Sequence, residues 1–113
     1  MNEPISDVTT ERSMESVTAE LLKHQLQSAD PPFLIDVRET WETQAYNIGG
    51  VCIPLNSIMQ RVQEIPTSKP VVVYCEKGIR SMIAIQKLSA KFGFKNLINL
   101  KDGMEGWKKI SNK

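Results

Sequence analysis

The chain has 113 residues, a net charge of +1, 41% apolar and 24% charged residues. That is one ordinary globular domain with one modest core. The charge balance gives no electrostatic case for nucleic acid or an anionic membrane, and no apolar run approaches the ~20 residues of a membrane span.

Residues 1–14 are polar and without period, and are expected to form a flexible tail ahead of a domain at 15–113. The start, MNEPISDVTTERS, lacks a basic region followed by an apolar run, so no secretory signal is expected. Thr18 is a suitable N-cap for a helix AELLKHQLQS, with Leu21, Leu22 and Leu26 on one face and His24 on its polar side. FLIDV (33–37) reads as a short buried strand. ETWETQAY reads as a short helix beginning near Thr40, NIGG as a turn, and VCIPL as a second strand. Leu55, Ile58, Met59 and Val62 fall at helical spacing and predict a helix opening near Asn56. VVVY (71–74) is β-branched without alternation, as in a strand covered on both faces.

Ser81, Ala84, Ile85, Leu88 and Phe92 form a helical stripe that Gly93 ends. LINL is a further strand, and Asp102 is placed to cap a last helix with Glu105 three residues on. Strands alternating with helices predict an α/β domain on a mainly parallel sheet, with its site at the carboxyl ends of the strands.

Between VVVY and the helix lies CEKGIRS (75–81). A loop this short has no structural need of a cysteine at its mouth. Gly78 permits a tight left-handed turn, and loop and helix N–H groups can converge on one anion. Lys77 and Arg80 add positive charge. Together these favour a thiolate at Cys75, a nucleophile able to hold an anionic adduct. The plain alternative is a buried core thiol. Cys52, flanked by apolar residues, reads as a packed inert thiol, although sequence leaves a Cys52–Cys75 disulfide open. Asp36 and Arg38 read as a salt bridge or loop anchor. Trp41 and Trp107 read as core or rim packing, and His24 as a solvated surface group rather than a partner for Cys75. Two cysteines and one histidine are too few for a zinc site, and a reducing, cytoplasmic setting is expected.

FLIDVRE, IGGVCIPL, VVVYCEKGIRS and FGFKNLINLKDGMEGWKK, in this order over about residues 15–110, resemble a single-domain rhodanese, a sulfurtransferase. The resemblance implies a three-layer α/β/α fold with five strands in the order 3-2-4-5-1. It implies a persulfide on Cys75 and a sulfur-binding loop of Glu76, Lys77, Gly78, Ile79 and Arg80; Asp36, Arg38 and Ser81 are expected in a supporting role. It implies a two-step transfer from a small donor such as thiosulfate to cyanide, a thiol or a sulfur-carrier protein, by a monomer needing no metal, flavin or nucleotide. AYNIGG stands where many members carry Gly-His-Ile, as in rhodanese domains attached to enzymes that adenylate sulfur-carrier proteins. Asp102-Gly103 stands in place of the usual Gly-Gly. The alternatives are a Cys-dependent phosphatase or arsenate reductase, in which five residues rather than the four here separate Cys from Arg, and a non-catalytic binding module of the same fold.

Overall fold

The computed structural model describes residues 14–111. Its elements run β1 (Glu15–Val17), α1 (Ala19–Leu26), β2 (Phe33–Asp36), α2 (Thr40–Ala45), β3 (Val51–Cys52), a 3-10 helix (Leu55–Glu64), β4 (Val71–Tyr74), α3 (Ile79–Phe92), β5 (Leu97–Leu100) and α4 (Gly103–Ser111). The sheet order is β1-β5-β4-β2-β3 with every pairing parallel. Read from the other edge, this is the order 3-2-4-5-1 that the resemblance implies. The expectation of a flexible tail falls, for residues 1–13, outside the described residues. Met14 packs against the core.

Period-two alternation sorts each strand into two cores. Val71, Val73 and Cys75 join Ile35, Ile53, Ile58, Ala84, Ile85 and Leu88 on the face covered by α3 and the 3-10 helix. Val72 and Tyr74 join Val17, Leu22, Leu34, Leu100, Met104 and Trp107 on the face covered by α1 and α4. All four residues of β4 are buried, as its unbroken apolar run predicts. The alternation also decides the chemistry: the residue after Tyr74 must point toward α3.

Helix ends follow local rules. The Thr18 hydroxyl accepts from the Leu21 N–H at 3.1 Å. Gly93 stops α3 in the left-handed region, its N–H donating to the Ser89 carbonyl. Several details depart from the sequence reading. The edge strand β1, ESV, carries no recognisable strand pattern, and its pairing with β5 creates it. The segment 55–64 is a 3-10 helix kinked at Arg61 rather than an α-helix. Leu21 and Phe92 face outward, one step off their helices' buried stripes, and Trp41 is 71% exposed instead of packed. Asp102 does not cap α4. It sits in the left-handed region at φ 66°. Met104 and Glu105, in the first turn, donate their N–H groups to the Cys75 and Glu76 carbonyls at 2.9 Å each. The orphan donors of this helix are thus spent on holding the start of the 75–81 loop.

Candidate active site

Cys75 follows the last residue of central β4, and α3 begins four residues later. The chain reverses between them through Gly78, at φ 92°. Residues with a side chain rarely adopt that conformation. The reversal brings three groups onto one atom. The Gly78 N–H donates to Cys75 Sγ at 3.1 Å and the Ser81 N–H at 3.3 Å. The Ser81 hydroxyl lies 3.3 Å from the same sulfur. Cys75 is 1% exposed, at the floor of a cavity of about 250 Å³ that it lines with Glu76, Lys77, Ile79 and Arg80. Backbone donors thus converge on the thiol, and the loop side chains line the cavity beside it.

The other side of the loop is fixed by Gly103. A Cβ there would overlap the Cys75 and Glu76 carbonyls, so only glycine lets α4 approach the loop closely enough to bind them.

The charged groups are paired in a way the sequence does not disclose. Arg80, read there as a bare cation, forms a two-point ion pair with Glu42 of α2 at 2.8 and 2.9 Å. The hydrogen bonds from Arg80 hold the Glu42 carboxyl at about 2, well below the usual glutamate range, against the opposing effect of burial. Lys77 is exposed. Asp36 and Arg38 form the expected salt bridge, at 2.9 Å and almost wholly buried. Arg38 also reaches the Tyr46 carbonyl at 2.6 Å and Glu76 at 3.3 Å, so Glu76 is turned sideways across the sheet edge. Lys108 of α4 reaches Glu76 from the far side at 3.7 Å. Burial, with the Asp36 charge added, pushes the Tyr74 phenol up, and its hydroxyl donates to the Gly49 carbonyl at 2.9 Å.

Cys52 lies half-buried at the end of β3, its sulfur 3.2 Å from the Thr43 hydroxyl, which donates to Asp36, and its thiol donating to the Arg38 carbonyl at 3.6 Å. Both cysteines are free, so the disulfide left open by the sequence is not formed. His24 is exposed on α1. Among the described residues, no group of three or more His, Cys, Asp or Glu could hold a metal ion, and no helix is long and apolar enough to cross a membrane.

Two site residues escape the sequence reading. Glu42 carries no signal, because only the packing of α2 brings it to Arg80. Asn99 lies in LINL, read simply as a strand. Its alternation with Leu97, which faces α3, could have pointed to it.

Residues 18–110 match the profile of the rhodanese-like domain. The chain is 40% identical over 103 residues to the Bacillus subtilis protein YqhL, covering 90% of this chain and 79% of that one. It is 30% identical to a protein named sulfurtransferase from Allochromatium vinosum, covering 83% and 88%. The crystal structure of a rhodanese-like domain protein from Staphylococcus aureus superposes with a TM-score of 0.76 at 28% identity, covering 83% and 91%.

Proposed function

The chain belongs to the rhodanese-like domain family, and from that premise we propose that it moves sulfane sulfur through a persulfide on Cys75. In the first half-reaction the Cys75 thiolate attacks the outer sulfur of a donor such as thiosulfate. The sulfur–sulfur bond of the donor breaks, sulfite leaves with the bonding pair, and the outer sulfur stays on Cys75. In the second, an acceptor attacks that sulfur and Cys75 leaves as thiolate. With cyanide the product is thiocyanate. With a thiol, or the thiol of a small sulfur-carrier protein, it is a new persulfide.

The observation that carries this reading is the convergence of the Gly78 and Ser81 N–H groups on Cys75 Sγ at the floor of a small cavity. Such donors stabilise negative charge on sulfur without proton transfer. Ile79 and Arg80, in the first turn of α3, also line this cavity, and N–H groups at a helix start have no acceptor within the helix and favour an anion. The shortness of the loop also favours this reading over ester hydrolysis. A phosphoryl group brings three peripheral oxygens, each wanting a donor at about 2.7–3.1 Å. A persulfide brings one sulfur. Arg80, which a phosphate would need, is occupied by Glu42.

The test is intact-mass analysis after incubation with thiosulfate and, separately, with other persulfide donors. One added sulfur is expected on Cys75, removable by cyanide or dithiothreitol. No added sulfur from any donor would overturn the assignment. Cys75-dependent hydrolysis of p-nitrophenyl phosphate in its place would favour the phosphatase reading.

A further inference from the structure

Behind the sulfur cradle stands a side chain that touches no part of the cavity. Asn99 of β5 donates from its amide nitrogen to the Gly78 carbonyl at 3.2 Å. A carbonyl can only accept, so the amide must present its nitrogen there. Its oxygen is then turned to Ser81, and the close contact between Asn99 Oδ1 and Ser81 Oγ must be a bond donated by the hydroxyl. Ser81 has one hydroxyl proton. With that proton committed to Asn99, Ser81 Oγ presents a lone pair to Cys75 Sγ, 3.3 Å away. A lone pair facing sulfur suits a thiol, which can donate its own proton. It opposes a thiolate, which cannot.

We propose that Asn99 is a positioning residue that directs the Ser81 hydroxyl away from Cys75, so that the resting sulfur is held as a thiol until the hydroxyl swings round to it. The device has two hydrogen-bonded arrangements. In one, S–H donates to Ser81 and Ser81 to Asn99. In the other, Ser81 donates to the ionised sulfur and Asn99 Oδ1 is released. The Gly78 and Ser81 N–H groups donate to sulfur in both, so the hydroxyl alone distinguishes them. The bond to the Gly78 carbonyl keeps Asn99 from following Ser81 when it turns.

The charged groups around Cys75 belong to several elements. Arg80 comes from α3, with Glu42 of α2 bound to it. Glu76 and Lys77 come from the loop, Lys108 from α4, and the Asp36–Arg38 pair from the end of β2. None of them contacts Asn99 through an ion pair or hydrogen bond, so replacing Asn99 with an uncharged residue leaves their field in place.

The proposal rests on Cys75 being the reactive thiol, but its readout is the proton on sulfur and not sulfur transfer. A protein that transferred no sulfur would still report it. The measurement is thiolate absorbance against pH in a Cys52→Ser background, with Cys75→Ser as the blank. Asn99→Ala frees Ser81 to donate to sulfur, and the midpoint is expected to fall by about half to one unit. Ser81→Ala alone removes both the opposing lone pair and the donor, and its midpoint serves as the reference. Asn99→Ala added to Ser81→Ala should then leave it where Ser81→Ala put it. A fall of equal size without Ser81 would mean that Asn99 acts through the loop backbone, and no fall with Ser81 present would mean that it does not direct the hydroxyl. Either result overturns the proposal. Asn99→Leu keeps the side-chain volume and is expected to match Asn99→Ala. Collapse of both variants would assign Asn99 to the fold and overturn the proposal as well.

Discussion

Of the two cysteines, only Cys75 stands at the end of a central strand with backbone donors on its sulfur. Cys52 lies between the Thr43 hydroxyl and the Arg38 carbonyl at the end of a two-residue edge strand, with no backbone N–H on its sulfur. Cys75→Ser is therefore expected to abolish sulfur transfer, and Cys52→Ser to retain most of it, as thiosulfate:cyanide assays on folded variants would show. Equal losses would mean that Cys52 takes part in the reaction. The Glu42–Arg80 pair makes a pH-dependent claim. Glu42 is held near 2 in the folded protein, against 4.5 for the free side chain. A lowered carboxyl favours folding at pH values above the unfolded value. Its contribution is then lost as pH falls from about 4.5 toward 2. Arg80 is a third exposed, so solvent screening keeps the stabilisation on the order of 1 kcal/mol. Glu42→Gln should accordingly melt lower than the native protein at neutral pH, and the gap should close through that acid window. A gap that stayed constant down to pH ~2 would show that the pair adds no pH-linked stability.

The loop 75–81 is positioned by Gly78 within it and by the N-terminus of α4, which grips two of its carbonyls. Gly103→Ala should therefore cost about 2 kcal/mol or more and slow transfer beyond any loss of stability, since the Cβ can be housed only by pushing the loop aside. Asp102→Gly should act in the other direction, raising stability by about 1 kcal/mol through relief of the left-handed backbone. Urea melts and initial rates of the two variants would check both. A Gly103→Ala protein of native stability and rate would show that α4 does not hold the loop. This dependence also marks what the sequence discloses. VVVY, the α3 stripe and Gly78 were legible because each is a local rule: β-branching, helical period, a residue free to turn left. The grip of α4 on the loop and the Glu42–Arg80 pair were not, because they join segments distant in sequence whose residue types are common on any surface. Asp102 misled for a related reason. Its spacing to Glu105 matches a capping box, yet the carbonyls already waiting at the helix start displaced the side chain from that role.

At the scale of the whole chain, every group placed in the mechanism lies at the carboxyl edge of the parallel sheet, where β2, β4 and β5 end and α3 begins. The opposite edge carries a larger cavity, about 860 Å³, lined by Val62, Ile65, Pro66, Phe92 and Phe94 together with Thr67, Ser68 and Lys95, and by no cysteine. Volume alone would choose that end, whereas the donors on Cys75 favour the carboxyl edge. The five-strand order too was legible only through the resemblance, since β1 has three residues and no pattern of its own. That short edge strand bears on how much of the chain the domain needs. Met14, directly before it, packs against the core, whereas residues 1–13 offer no apolar period to bury. We expect deletion of 1–13 to leave the melting temperature within a few degrees of native and the transfer rate unchanged, because their sequence has no apolar period. Met14→Ala in the same shortened chain should cost more, on the order of 1 kcal/mol or a shift of roughly 4–8 °C, since a partly buried side chain is lost from the packing against the sheet. Calorimetry of the three proteins separates these outcomes. A large drop on removing 1–13 with Met14 intact would show that the N-terminal segment packs on the domain and that the folded unit begins before Met14.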